Sequence, residues 1–133
     1  VNVRVGCPDG FSPEAAVVEQ ARTLAAGRSS VEVVHDPVVA VRGAHALYTD
    51  VWASMGQEQE QAERALAFAG WCLDEGLLSE ADGRAIVLHC LPAHRGEEIS
   101  PGVIEGASSR VFDQAENRLH VQQALLAALL GGA

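Results

Sequence analysis

The residues best equipped for chemistry lie in one short stretch, residues 89–95, with the sequence His-Cys-Leu-Pro-Ala-His-Arg. Its thiol, imidazoles and guanidinium can donate protons, accept protons or bind an anion. The stretch follows the apolar residues 85–88, which are typical of a strand buried on both faces. Because ligands of open α/β sheets bind beyond the carboxyl ends of the strands, we expect a site here.

Cys90 and His94 allow two further interpretations of this stretch. Without another Cys or His at supporting spacing, a zinc site is disfavoured. A Cys–His nucleophile pair stays open, although cysteine is more often a small buried apolar residue.

A second polar cluster, residues 50–57, follows a predicted strand. The Ser-Met-Gly-Gln sequence at 54–57 fits a helix capping box. The backbone N–H groups at such a helix start can also hold a carboxylate, and Asp50 can hold an ammonium group. The cluster therefore fits either a cap alone or a site for the two charged ends of an amino acid.

A third cluster, residues 113–118, opens the last predicted helix. Asp113 and Glu116 fit a helix cap. Arg118 is predicted near the same helix start, where the helix dipole disfavours a cation. It either pairs with one of these carboxylates or binds an anion.

Composition restricts the classes of partner. The 133 residues, 48% of them apolar, fit one globular domain with its own core. The net charge of −9 disfavours nucleic acid and anionic membranes as partners, and no apolar run approaches a membrane helix. All nine cationic residues are arginines, so this chain supplies neither a Schiff-base lysine nor a phosphate-loop lysine. Three cysteines without a C-x-x-C pair indicate reduced thiols in the cytoplasm.

Strand and helix patterns alternate along the chain and predict an α/β fold. Strands are predicted at 1–5, 31–35, 46–49, 85–89 and 110–112, and helices at 12–26, 36–42, 57–69, 100–105 and 114–130, with 74–82 ambiguous. This order predicts a Rossmann-like, doubly wound, mostly parallel five-stranded sheet with helices on both faces. Such a sheet would bring Asp50, Cys90 and Arg118 to a common mouth.

Three motifs resemble those of the ornithine carbamoyltransferases. They are TDVWASMGQE at 49–58, HCLP at 89–92 and ENR at 116–118. Their order resembles the second, ornithine-binding domain of that family, and the resemblance covers nearly all of residues 1–133. The resemblance implies carbamoyl transfer from carbamoyl phosphate to the δ-amine of L-ornithine, giving citrulline and phosphate. It also implies no metal or organic cofactor and an assembly based on a homotrimer.

The resemblance assigns the ornithine contacts to four residues. Asp50 and Ser54 would bind the α-amino group, and the Met55 backbone would help to hold the α-carboxylate. Cys90 would lie near the reacting δ-amine.

The resemblance assigns the carbamoyl contacts to two residues of the stretch that contains the thiol and to Arg118. The carbonyl groups of Cys90 and Leu91 would bind the carbamoyl amide, and Arg118 would bind the carbamoyl phosphate oxygen that becomes an oxyanion. In the family, the bond that matches Leu91-Pro92 is cis.

The carbamoyl-phosphate-binding domain of the family has no counterpart here. Its Ser-Thr-Arg-Thr loop and His-Pro-x-x-Gln segment do not occur, and the chain begins with valine. We therefore expect part of a longer chain that is inactive alone. Alternatives are carbamoyltransferases acting on putrescine, acetylornithine or aspartate, and a non-catalytic amino-acid-binding module. A phosphoacceptor receiver domain is disfavoured by the absence of lysine, and a nicotinamide-binding domain by the absence of G-x-G-x-x-G.

Overall fold

Alternating strands and helices make up residues 1–53 and 61–131, the ranges that this computed structural model describes. The strands are β1 (Val3–Gly6), β2 (Val31–Val34), β3 (Ala46–Thr49) and β4 (Ile86–His89). The helices are α1 (Ala15–Ala25), α2 (Pro37–Val41), α3 (Gln61–Ala67), α4 (Glu75–Ser79), α5 (Pro101–Ile104) and α6 (Val111–Leu130). The predicted α/β class is confirmed.

The four strands form two separate parallel pairs. β1 pairs with β2, with Val3 opposite Val31, and β3 pairs with β4, with Ala46 opposite Ile86. Within the described ranges no strand joins the two pairs. The single five-stranded sheet that the sequence predicts is therefore not observed in these residues.

The predicted fifth strand at 110–112 is wrong, because this segment starts a helix. Ser109 makes a single parallel bridge with Val87 of β4, and Arg110 N donates to Val87 O at 2.8 Å. Gln114 N then donates to Arg110 O at 2.9 Å and closes the first turn of α6. A short apolar run fits a strand and a helix start equally well, and here the helical hydrogen bond decides.

Side-chain caps explain where the short helices begin. Asp36 accepts a hydrogen bond from Val39 N at 3.0 Å and starts α2, as predicted. The ambiguous segment 74–82 contains α4, which Asp74 caps in the same way. α1 starts at Ala15, three residues after Ser12, and no side chain caps it. Of the predicted helix at 57–69, residues 57–60 lie outside the described ranges.

The apolar core surrounds β4 and the helices that follow it. Five of its side chains are at most 1% exposed: Val87, Ile99, Val103, Ile104 and Val111. β4 is therefore the most tightly packed of the strands. The residues that follow it are attached to a part of the chain with little freedom to move.

The second half of α6 leaves its leucines exposed. Leu125, Leu126, Leu129 and Leu130 are 55–78% exposed, whereas Val111 at the helix start is fully buried. The helix is anchored at its beginning alone within the described part of the chain. No described helix combines the length and apolar character that crossing a membrane requires.

We expect Ile104→Ala to lower the free energy of unfolding by about 2–5 kcal/mol, because it leaves a cavity in the core. Leu24→Ala, at a side chain that is 73% exposed, is the matched control and should change it by less than about 0.5 kcal/mol. Urea unfolding followed by circular dichroism measures both. Equal losses for the two variants would contradict the assignment of the core.

Candidate active site

Asp50 and Cys90 each follow directly after one of two neighbouring strands, and they lie side by side. Thr49 and His89, the last residues of β3 and β4, are register partners, so the next residue of each strand emerges at the same edge. The Cys90 thiol donates a hydrogen bond to Asp50 Oδ1 at 2.9 Å. The predicted meeting of these two side chains is confirmed.

Burial raises the pKa of the Cys90 thiol, and its hydrogen bond to the Asp50 carboxylate raises it further. The Tyr48 hydroxyl has a smaller effect in the opposite direction. At neutral pH the sulfur therefore keeps its proton and serves as a hydrogen-bond donor. Cys90 and His94 make no contact with each other, since the thiol donates to Asp50 and His94 Nδ1 lies 3.6 Å from Glu97 Oε2.

A buried hydrogen bond between two side chains lies close to this thiol. His89 Nε2 lies 3.0 Å from Glu98 Oε1, and the two side chains are fully buried. The same Oε1 accepts a hydrogen bond from His94 N at 2.7 Å. Glu98 thus ties the last residue of β4 to the loop that follows it.

The hydrogen bonds also assign the His89 tautomer. Leu91 N, which can only donate, lies 2.8 Å from His89 Nδ1, so Nδ1 is the acceptor. Nε2 therefore carries the proton that it shares with Glu98 Oε1. This chain of contacts sets the position of Leu91 relative to the strand end.

The backbone at Leu91 has an uncommon conformation. Its φ is 57°, in the left-handed region that a bulky residue rarely adopts, and the Leu91-Pro92 peptide bond is cis as the resemblance implies. The hydrogen bond from Leu91 N to the buried imidazole supports this conformation. Leu91 is thereby tied to the last residue of β4.

Arg118 lies on the helix that docks against β4 but does not contact the thiol. Gln114, one turn earlier on the same face of α6, accepts a hydrogen bond from His89 N at 3.1 Å and donates to the Tyr48 hydroxyl at 3.5 Å. Arg118 itself is exposed and has no hydrogen bond or ion pair with any described residue. Of the three residues predicted to meet at one mouth, Asp50 and Cys90 are in contact. Arg118 does not join them.

The predicted cap at Asp113 and Glu116 is wrong. α6 begins three residues before the predicted start, at Val111, and Arg110 occupies the cap position without a side-chain hydrogen bond. Asp113 lies 4.0 Å from Arg110 instead, and Glu116 lies 3.8 Å from His120. Neither carboxylate pairs with Arg118, and the interpretation of that arginine as an anion ligand stays a prediction.

The segment after β3 is described as far as residue 53. Ser54 and Met55, together with the predicted capping box at 54–57, lie outside the described residues. Trp52 packs face to face on Phe68, with ring centroids 5.7 Å apart, and Arg64 Nη1 donates to Trp52 O at 3.2 Å. These contacts hold the chain where it leaves Asp50.

Two groups of side chains have metal-ligating atoms within 4.8 Å of one another among the described residues. The first, Asp50, His89 and Cys90, does not fit a metal, because both His89 nitrogens are already used in hydrogen bonds. The second group consists of His94, Glu97 and Glu98. Oε1 of Glu98 accepts from two donors, whereas its buried Oε2 has no hydrogen-bond partner among the described residues. The expectation that no metal is required stays a prediction.

Sequence reasoning missed Glu98, Gln114 and Tyr48. Glu98 lies nine residues after His89 in a loop, and Gln114 lies within a helix whose start was misplaced. A glutamate followed by an isoleucine, in a segment without a predicted strand or helix, offers little signal for burial. The contacts across the fold were needed to identify these residues.

The first 129 residues match the family model described as aspartate/ornithine carbamoyltransferase, Asp/Orn binding domain. The chain belongs to this family. The resemblance that the motifs suggested is thereby confirmed.

Similar proteins carry the ornithine name. A protein from Parasynechococcus marenigrum named ornithine carbamoyltransferase is 72% identical over 132 residues, 99% of this chain and 42% of that protein. The Pyrococcus furiosus ornithine carbamoyltransferase structure has a TM-score of 0.91 at 47% identity, over 100% of this chain and 43% of that one. An N-acetyl-L-ornithine transcarbamylase structure is 28% identical with a TM-score of 0.82, over 97% of this chain and 40% of that one. This carbamoyltransferase domain thus spans less than half the length of such relatives.

The raised pKa of Cys90 predicts how its alkylation depends on pH. A raised pKa keeps the thiol protonated over a wider pH range, so iodoacetamide should react with Cys90 at higher pH than with free cysteine. Asp50→Asn removes the negative charge and should move the midpoint down. Asp9→Asn, at an exposed distant carboxylate, is the control. Mass spectrometry resolves Cys90 from Cys7 and Cys72, and an unchanged midpoint in Asp50→Asn would contradict the contact.

Glu98→Gln should lower the free energy of unfolding by about 1–3 kcal/mol, because it weakens an acceptor shared by the buried His89 Nε2 and the part-buried His94 N. Glu97→Gln, at the neighbouring half-buried carboxylate, should cost less than about 0.5 kcal/mol. Chemical unfolding of both variants at pH 7 measures the difference. A Glu98→Gln variant as stable as the parent would show that the buried pair does not brace the loop.

Proposed function

We propose that this domain binds L-ornithine in an enzyme that transfers the carbamoyl group of carbamoyl phosphate to the δ-amine, giving L-citrulline and phosphate. The observation that carries the proposal is the 2.9 Å contact between Cys90 and Asp50 at the carboxyl ends of two parallel strands. Membership of the aspartate/ornithine carbamoyltransferase family supports it.

The α-amino group of ornithine is assigned to the Asp50 carboxylate, with Ser54 and the Met55 backbone completing the amino-acid contacts. A carboxylate at a sheet edge is a suitable partner for an ammonium group. Asp50 also accepts a hydrogen bond from Val51 N at 2.7 Å, which fixes its orientation.

The protonated Cys90 suits the reacting end of ornithine. An alkyl ammonium has a pKa of about 10.4, and only its neutral form attacks a carbonyl. A thiolate beside it would stabilise the ammonium form, whereas a neutral thiol does not. The raised pKa of Cys90 therefore favours the nucleophilic amine at neutral pH.

The carbamoyl group is assigned to the Cys90 and Leu91 carbonyls and to Arg118. The buried His89 holds Leu91 N and so fixes the two carbonyls in advance, which lowers the entropic cost of positioning the carbamoyl plane. Arg118 has no ion pair among the described residues and is exposed, so its guanidinium is available to stabilise the oxyanion of the tetrahedral intermediate.

Ornithine is the substrate best supported among those of the family. Relatives named ornithine carbamoyltransferase reach 72% identity, whereas the neighbour named N-acetyl-L-ornithine transcarbamylase is 28% identical. No specific contact in the described residues favours putrescine, aspartate or a non-catalytic role.

The remaining partners follow from the same proposal. A carbamoyl-phosphate-binding domain completes the active site, and the full enzyme assembles from homotrimers, without nucleic acid, membrane or cofactor. The cysteines Cys7, Cys72 and Cys90 are all free thiols, which supports a cytoplasmic location.

A chimera tests the activity directly. In the Parasynechococcus marenigrum relative, the 132 matched residues are replaced by those of this chain. The chimera should form citrulline from ornithine and carbamoyl phosphate, and residues 1–133 alone should not, because they lack the phosphate loop. Citrulline formation by the isolated chain above a no-protein control, or an inactive but folded chimera, would contradict the proposal.

In the chimera, Asp50→Ala should raise the KM for ornithine at least about tenfold, an effect of about 1.4 kcal/mol, and leave the KM for carbamoyl phosphate nearly unchanged. The reason is the loss of the partner for the α-amino group. Asp9→Ala is the control and should change neither constant. Equal increases in both constants would count against the assigned role of Asp50.

A further inference from the structure

One oxygen of the buried Glu98 carboxylate has no hydrogen-bond donor. The side chain is fully buried, and its Oε1 accepts from His89 Nε2 at 3.0 Å and from His94 N at 2.7 Å. Its Oε2 is buried as well and accepts no hydrogen bond from any described residue. An unpaired carboxylate oxygen in the interior costs free energy, because it has lost its contacts with water. A cation bound to Oε2 removes that cost.

Two further metal-ligating groups lie next to this carboxylate. A ring nitrogen of His94 and one carboxylate oxygen each of Glu97 and Glu98 all lie within 4.8 Å of one another. His94 Nδ1 and Glu97 Oε2 are 3.6 Å apart, and both side chains are about half exposed. Metal–ligand bonds of about 2.0–2.2 Å, at angles of about 90–110°, place neighbouring ligand atoms roughly 2.8–3.6 Å apart. A metal ion therefore fits between these two atoms with little movement of either side chain.

A β-turn brings the imidazole and the exposed carboxylate together. Glu97 N donates to His94 O at 2.9 Å, which closes the turn. Gly96, at the third position, has a φ of 91°, which glycine adopts without strain. The guanidinium of Arg95, at the second position, donates to Glu105 Oε1 at 2.6 and 3.2 Å. The cation of the turn is thus bound to a carboxylate outside the group of three ligands.

The two exposed ligands also line a cavity. Its volume is about 180 Å³, and its lining consists of Trp52, Ala53, Gln61, Ala65, His94 and Glu97. A metal ion held by three protein groups keeps at least one further coordination position. The cavity leaves room at that position for water.

We propose that His94, Glu97 and Glu98 bind one divalent transition-metal ion, which Oε2 of Glu98 contacts from the interior. Two carboxylates supply two negative charges, which a doubly charged ion neutralises. The imidazole nitrogen favours an ion such as Co²⁺ or Zn²⁺ over Mg²⁺ and Ca²⁺, which prefer oxygen ligands alone. The ion contacts neither the Cys90 thiol nor a reacting group, so this proposal does not depend on the proposed carbamoyl transfer.

Cobalt binding tests the proposal in the chimera with the Parasynechococcus marenigrum relative, without any substrate present. The protein should bind one equivalent of Co²⁺ per chain at this site. The bound ion should show visible d–d absorption without the charge-transfer band that a thiolate ligand produces. The Kd for this equivalent should rise at least about tenfold in His94→Gln and in Glu97→Gln, because each variant removes one of three ligands.

His45→Gln is the matched control for the ligand variants. His45 Nε2 lies 3.7 Å from Asp82 Oδ2, nearly the spacing of the proposed ligands. Within the described residues, however, this pair does not belong to a group of three ligands. The Kd for Co²⁺ should therefore equal that of the unsubstituted chimera.

An unchanged Kd in both ligand variants would overturn the proposal. A thiolate charge-transfer band would do so as well, because it would place the ion on a cysteine. Displacement of Co²⁺ by an equal concentration of Mg²⁺ would also count against the site, since it would indicate unspecific binding to surface carboxylates. Circular dichroism checks the fold of each variant, and Glu97→Gln decides if His94→Gln does not fold. Metal binding is measured whether or not the chimera forms citrulline, so failure of one proposal is distinguishable from failure of the other.

Discussion

The buried carboxylate of Glu98 is the constraint on which the site depends. It accepts hydrogen bonds from the imidazole of His89 and from His94 N, and the imidazole in turn accepts one from Leu91 N. A buried carboxylate is costly unless it accepts hydrogen bonds, so these donors have little freedom to move away. The residues between them, Cys90 among them, are thereby fixed at the end of β4.

The placement of Asp50 beside Cys90 has a different origin. It follows from the register of β3 and β4, in which Thr49 is opposite His89. The core holds β4, and parallel pairing carries that rigidity to β3. The site therefore combines one side chain fixed by sheet geometry with a loop fixed by hydrogen bonds to a buried carboxylate. This arrangement is suited to holding a flexible substrate such as an amino acid at both ends.

The sequence is informative where local patterns decide the structure. Apolar runs marked the strands that end at Asp50 and Cys90, and an Asp-Pro pair marked the start of α2. It is less informative where distant contacts decide, as for the burial of Glu98. Residues 110–112 suit a strand and a helix alike, and the hydrogen bond from Gln114 N to Arg110 O selects the helix. The same error placed Arg118 too close to a helix start.

The most direct measurement of the central claim is a double-mutant cycle on Asp50 and Cys90 in the chimera. The variants Asp50→Ala, Cys90→Ala and the double variant are compared by kcat/KM for ornithine. Because the two side chains share a hydrogen bond and one substrate, the double variant should lose less than the sum of the single losses, by about 1 kcal/mol or more. Strict additivity of the two losses would contradict the account, since it would mean that the two side chains act independently.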